Sequence, residues 1–314
     1  MLPKLFAKLS LVGIFTTLIS CASPPNSTSI STPETPEETP TATGVIVISD
    51  VSNNPAKKIN RYQPMADYLA ANLTEFEIGI GEVKVASDLP TIANWLKDGE
   101  VDLYFDSPYP AMLVSEQSAA EPILRRWKGG KADYYGIIFT MRDRNLDTLA
   151  DLQGKTIAFD EASSTSGYML PVALLVQNGL NPVEKNALSD NLSNNEVGYV
   201  FSDDDENTIQ WVISGKVEAG AVDIGTFMEI PAESREQMAI LGETDKVARH
   251  IVLVRPGMDP QMQQAIQRIL IEMDRTPEGK AVLEKFEETA KFDDFPTDAS
   301  LSKMRTLYEQ VKNR

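Results

Sequence analysis

Short apolar runs that end in polar turns constrain this chain more than any other feature of it. The runs at 45–48, 101–105, 156–159, 198–201, 219–222 and 251–254 are continuous rather than alternating, as strands buried on both faces are. Helical spacings fall between them. Ile59, Tyr62, Ala66, Leu69 and Leu73 recur at steps of three and four, and Ile209, Val212 and Ile213 do so later. Pro64 falls inside the first pattern, so that helix kinks or begins there. Strands alternating with helices specify an α/β architecture with mixed, mostly parallel sheets. Ligands of such sheets sit beyond the carboxyl ends of the strands. Polar residues gather at four strand ends: 49–54, 106–109, 163–166, and 203–207 together with Asp223. Two lie in each half of the chain, which predicts a cleft between two lobes.

The segment 160–180 is the most distinctive of these ends. Four hydroxyl residues, Ser163, Ser164, Thr165 and Ser166, precede Gly167 and a helical pattern reaching Gly179. Met169, Leu170, Ala173, Leu174 and Val176 form its expected buried stripe. A helix start has N–H groups without intrahelical partners and carries partial positive charge, so it suits an anion. One cap needs one hydroxyl; four in a row favour an oxyanion site over simple capping.

The formal net charge is −17, from 46 acidic and 29 basic residues. That balance disfavours nucleic acid or an anionic membrane as the main partner. A small anion remains compatible, because local dipoles and hydrogen bonds govern a desolvated site. The single Cys excludes an intrachain disulfide, and with one His there is no Cys/His zinc set, leaving only an all-carboxylate metal site open. No nucleophile-elbow pattern accompanies His250, so no catalytic residue is assigned. His250 reads as structural, Tyr134 and Tyr135 as hinge packing, and Trp95 and Trp211 as core.

Residues 1–21 read as an export signal: Lys4 and Lys8, an apolar stretch at 9–19 too short to span a bilayer, then Leu18-Ile19-Ser20-Cys21. That ending resembles a bacterial lipobox, in which Cys21 becomes the lipidated first residue. Residues 22–43 are rich in Pro, Ser, Thr and Glu and form a tether. The expected location is the periplasm or cell surface, anchored to the membrane through Cys21.

From Gly44 onward the chain resembles the substrate-binding proteins of phosphate, phosphite and phosphonate ABC transporters. The residues that carry the resemblance are Asp151-Leu152-Gln153-Gly154-Lys155, then Ser164-Thr165-Ser166-Gly167-Tyr168 with Pro171 and Gly179. The segments 102–108, 215–223 and 276–279 add to it. The resemblance implies a two-lobe type II periplasmic binding fold, with an interlobe cleft and two crossing strands near 134–141 and 239–254. The expected division is 44–138 and 240–314 for lobe 1, and 139–239 for lobe 2. It also implies that Ser164, Thr165 and Ser166 bind the oxyanion, with Ser163 beside them, and that Asp106, Ser107, Tyr109 and Asn53 face them from the first lobe. The family commonly has a His about ten residues before the equivalent of Gly215; Asp205 stands here instead. A carboxylate facing a dianion is repulsive unless it is protonated or a cation intervenes. The acidic run 203–206 is therefore either a solvated turn or, with Asp223, a subsite for an ammonium group.

The leading expectation is a monomeric lipoprotein receptor that hands a phosphonate-, phosphite- or phosphate-type oxyanion, with or without an amine, to ABC permease subunits. It needs no cofactor and performs no reaction. The alternatives are a receptor for an organic cation, a cofactor-precursor biosynthetic enzyme on the same fold, and a sensor acting through a separate chain.

Overall fold

The computed structural model describes residues 42–313; the export signal, Cys21 and nearly all of the tether lie outside them. Among the described residues fourteen strands are formed: β1 (Gly44–Val51), β2 (Ile78–Ala86), β3 (Leu103–Asp106), β4 (Glu121–Arg126), β5 (Asp133–Tyr134), β6 (Gly136–Met141), β7 (Thr156–Phe159), β8 (Pro182–Glu184), β9 (Val197–Phe201), β10 (Ala219–Asp223), β11 (Met238–Glu243), β12 (Val247–Ala248), β13 (His250–Val254) and β14 (Phe292–Asp293). The α-helices are α1 (Pro55–Asn72), α2 (Leu89–Asp98), α3 (Pro108–Ser118), α4 (Leu170–Gln177), α5 (Asp205–Ile213), α6 (Ile224–Glu229), α7 (Ala232–Arg235), α8 (Pro260–Glu272), α9 (Pro277–Lys285) and α10 (Asp298–Val311).

The strands form two six-stranded sheets, ordered β14-β4-β13-β3-β1-β2 and β11-β6-β10-β7-β9-β8, and a small ladder of β5 with β12. Parallel pairing holds β2–β1–β3 and β8–β9–β7–β10, while β13, β4, β14, β6 and β11 join antiparallel. Register then decides where the polar ends meet. Asp106 at the end of β3 pairs with Ile251 near the start of β13, and His250 pairs with Arg126 at the end of β4. In the second sheet Asp223 at the end of β10 pairs with Gly136 at the start of β6. The chain leaves β4 and enters β6 through β5, and it leaves β11 and enters β13 through β12. Both crossings thus run between the polar ends of the two sheets, and those ends face one cleft. Because β6 and β11 lie wholly in the second sheet, the crossings are narrower than the segments read from the sequence.

One apolar cluster draws on both sheets. It includes Tyr104 and Leu253 from the first, Tyr109 of α3, Ile157, Phe159 and Tyr199 from the second, and Met304, Leu307, Tyr308 and Val311 of α10. The outer faces have separate cores under α1, α8 and α9 and under α5 and α6. Helix α1 begins at Pro55, where Asn54 caps it by accepting the Lys57 N–H, and continues through Pro64. Helix α4 is apolar on nearly every side: Val172 and Leu175 are buried along with Leu170 and Ala173, whereas Leu174 and Val176 are only half-buried. The expected single stripe gives way because α4 is covered by the second sheet and also by α10. Trp95 and Trp211 sit half-buried at the core margins under Lys84 and Lys216.

Candidate functional site

The facing strand ends enclose a cavity of about 710 Å³. Its walls differ in charge. From the side of the first sheet come Asp50, Lys58, Asp106, Lys128 and His250, with Arg249 from the second crossing; from the side of the second come Asp160, Glu161, Asp205 and Asp223. Lysine and arginine line only the first of these walls.

The cationic wall is built around Glu287, a half-buried residue with φ 52° just after α9 whose side chain is only 7% exposed. Its carboxylate receives Lys58 at 2.8 Å, Lys128 at 3.2 Å and the wholly buried Arg126 at 3.3 Å. Burial alone would raise its pKa, but Lys128, Arg126 and Lys58 together outweigh burial and hold it well below the usual range. Lys58 also meets Asp50 at 2.7 Å, and Asp50 accepts from the Tyr62 hydroxyl. Lys128 is pulled down chiefly by burial, with Arg126, Arg249 and Lys58 acting in the same direction. Arg249 stacks on the Tyr134 ring, 4.4 Å from its centroid. Nδ1 of His250 is buried and makes no hydrogen bond. Burial first, then Lys128 and its cationic neighbours, keep that imidazole neutral.

Among the described residues the acidic wall has no such partner. Asp204 caps α5 by accepting the Asn207 N–H at 2.6 Å, which leaves Asp205 in the first turn, half-buried at the cavity. Asp223 accepts from the Gly225 N–H at 2.7 Å and the Thr226 hydroxyl at 2.7 Å. Burial, then Asp160 and Asp223, push Asp205 up to about 7. Burial also pushes Asp160 up to about 6, against the Ser164 hydroxyl. Asp203, Asp204 and Glu206 are exposed. Among the described residues no group of three or more His, Cys, Asp or Glu side chains is placed to hold a metal ion.

The hydroxyl turn joins the two walls. Ser164 accepts the Gly167 N–H at 3.0 Å, and one wide turn, Thr165–Met169, precedes α4. Gly167 is required, since a Cβ there would lie 2.5 Å from Cβ of Asp160. Thr165 is buried, and its hydroxyl is used across the cleft: it donates to Ser107 Oγ at 2.9 Å and accepts the Tyr109 N–H at 2.9 Å. The Tyr134 hydroxyl sits among those of Thr165, Ser107 and Ser166. At Gly136 a Cβ would stand 2.3 Å from the carbonyl oxygen of Ser166, so the start of β6 and the turn are in direct backbone contact.

The model of a family described as "ABC transporter, phosphonate, periplasmic substrate-binding protein" matches residues 49–299. The chain belongs to that family. The phosphate-import protein PhnD of Mycolicibacterium smegmatis is 31% identical over 100 residues, and the match spans only 31% of that protein's length and 30% of this chain. Among solved structures, XAC2383 from Xanthomonas citri bound to ATP superposes with a TM-score of 0.79 at 27% identity, covering 86% of this chain and 98% of that one. PhnD1 from Prochlorococcus marinus in complex with methylphosphonate gives 0.61 at 14% identity, over 86% and 99%. At that identity the second likeness speaks to the fold, which is the two-lobe type II periplasmic binding fold.

Of the residues singled out in the sequence, Asn53, Asp106, Ser107, Ser163, Ser164, Thr165, Ser166, Asp205 and Asp223 all line the one cavity. Tyr109 does not. Its ring is turned into the core against Tyr168 and Tyr308, and only its N–H reaches the cleft, to Thr165. Asp106 lines the cavity but is engaged from behind by the Tyr104 hydroxyl at 2.5 Å and the Ser107 N–H at 2.6 Å, and burial pushes it up to about 6. Sequence reasoning missed Lys58, Lys128 and Arg249, and it set Tyr134 and His250 aside although both line the cavity. The available signal was position: Lys128, Arg249 and His250 all flank the crossings.

Proposed function

We propose that this chain is the extracytoplasmic solute receptor of an ABC importer, tethered to a membrane by a lipid on Cys21, acting as a monomer and performing no reaction itself. Its ligand is a small phosphonate- or phosphate-type oxyanion that also carries an amine. The lobes are the two sheets with their helices, and they close by hinge motion at β5 and β12. The observation that carries this reading is the division of the cavity: all its lysine and arginine side chains, with Asp50 and Asp106, on one wall, carboxylates with no ion pair among the described residues on the other, and the Ser163–Ser166 turn between them. At about 710 Å³ the space falls within the roughly 300–1,000 Å³ of sites for drug-sized ligands, far more than bare phosphate fills. The ATP held by XAC2383 supports a phosphorylated compound larger than methylphosphonate. Asp205 and Asp160, poised near neutrality, supply the counter-charge for the amine.

Isothermal calorimetry and thermal shift on the full chain test this, with phosphate, phosphite, methylphosphonate, aminoethylphosphonate, ATP and simple amines as probes. Bound ligand raises the melting temperature by mass action. Aminoethylphosphonate is expected to bind more tightly than methylphosphonate. Binding of amines with none of any oxyanion would replace this reading by the organic-cation receptor, for which the acidic wall is the specific argument.

A further inference from the structure

Resting on the oxyanion reading, with the anion held at the Ser163–Ser166 turn, we propose that the Tyr134 hydroxyl is one of its direct donors. It reaches the anion from the first crossing and supplies the phenol that the sequence led us to expect from Tyr109.

Position comes first. Tyr134 ends the two-residue strand β5 and pairs with Val247 of β12. Two residues on, Gly136 lies against the Ser166 carbonyl oxygen, where a Cβ would stand at 2.3 Å. That contact holds the start of β6, and Tyr134 with it, beside the turn. The Tyr134 side chain is only 3% exposed, yet it lines the cavity, and its hydroxyl lies among those of Thr165, Ser107 and Ser166. A buried tyrosine ordinarily brings its hydroxyl to a polar partner. Here the partners belong to both sides of the cleft, Ser107 to the first and the turn to the second. Tyr109 cannot take this part, because its ring packs against Tyr168 and Tyr308.

The chemistry of the hydroxyl group follows from its neighbours. Thr165 gives its proton to Ser107 Oγ at 2.9 Å. The protons of Ser107, Ser166 and Tyr134 are then the ones that an acceptor entering the cavity can draw. An oxyanion only accepts, and hydrogen bonds to a charged acceptor are roughly twice as strong as neutral ones. Of these three hydroxyls the phenol is the most acidic and therefore the best donor. Burial raises its pKa above the ordinary value, so it keeps its proton. The Arg249 guanidinium, 4.4 Å from the ring centroid, acts against burial and draws density from the ring, which makes the O–H more polar. The site thus holds a phenol that stays protonated and is polarised towards donation.

Calorimetry on the full chain compares Tyr134→Phe with the unmutated protein, with phosphate and methylphosphonate as probes. Phenylalanine keeps the ring and its stack under Arg249 and removes only the hydroxyl. Both probes are expected to bind about tenfold more weakly or worse. Tyr135→Phe is the control: that ring lies under Lys246 and does not line the cavity, and affinity is expected to stay within about twofold. A loss below about twofold in Tyr134→Phe overturns the proposal and leaves the receptor function standing. So does an equal loss in Tyr135→Phe, which would make the effect one of packing at the crossing. A second measurement does not depend on how the variant folds. With 3-fluorotyrosine in place of Tyr134, the fluorine resonance follows ionisation of that one phenol. Saturating methylphosphonate is expected to raise its pKa by about one unit or more, since the phenolate would face the anion. A titration that saturation leaves unmoved overturns the contact. If neither probe binds the unmutated chain, the receptor function fails and the role of Tyr134 fails with it.

Discussion

The two walls of the cleft solve the burial of charge in opposite ways. On the first, the Glu287 carboxylate is largely shielded from solvent, yet it is held ionised by three cations within 3.3 Å. On the second, Asp205 and Asp160 have only hydroxyl and backbone company, and burial pushes them up to about 7 and about 6. One wall is internally compensated and therefore preorganised; the other is left open and awaits an external charge. Removing one partner from a compensated cluster is costly because it strands the rest, whereas neutralising an uncompensated acid relieves the empty protein.

This contrast can be broken most severely at Glu287. Glu287→Ala leaves Lys58, Arg126 and Lys128 without their shared counter-charge and is expected to destabilise the chain by roughly 3–5 kcal/mol in denaturant unfolding. A loss of only a few tenths would mean that solvent already screens the cluster. The opposite sign is expected at Asp205. Its folded pKa of about 7 lies above the ordinary 3.8, so the folded chain holds the extra proton between those values, and its contribution to stability falls as pH rises through about 7. Asp205→Asn should therefore stabilise the empty protein by roughly 1–3 kcal/mol at about pH 8 and by little at about pH 5. The neutral, buried His250 pulls the pH profile the other way below its ordinary range, so the variant must be compared with the parent at each pH. Equal melting temperatures throughout would show Asp205 to be solvated.

A smaller effect separates ligands. Preference for aminoethylphosphonate over ethylphosphonate should be about tenfold at neutral pH, shrink as Asp205 and Asp160 protonate, and vanish in Asp160→Asn/Asp205→Asn. Retention of the preference in that variant would assign the amine elsewhere. Smallest is Thr165→Val, which deprives the Tyr109 N–H of its acceptor and Ser107 of its donor across the cleft. It should cost about 1 kcal/mol and enlarge the radius of gyration of the unliganded chain in small-angle scattering. An unchanged radius would mean that the hydrophobic contacts of α10 hold the lobes without it.

The fold was legible in the sequence because continuous apolar strands, polar strand ends and helix caps are local signals, and the cavity lining from Asn53 to Asp223 follows from strand ends alone. The cationic wall was not. Lys58 sits on an exposed-looking helix start, and only the chain reversal after α9 brings Glu287 to it, across 229 positions. Arg249 and His250 gain meaning from a strand register that no spacing reveals. Tyr109 misled for a related reason: in the first turn of α3 the N–H faces the cleft while the ring points into the apolar cluster shared by both lobes.

The contact of Gly136 with the Ser166 carbonyl has a mechanical consequence. With no room for even a methyl group between them, β6 and the turn are held together on the second sheet's side, so the hinge proposed above, at Asp133–Tyr134 and Val247–Ala248, falls outside that contact. Tyr134 and the adjoining Arg249 line the cavity, so the pivot itself touches whatever occupies it. A fluorophore or spin label placed at that pivot, rather than at the outer lips, would convert occupancy directly into signal.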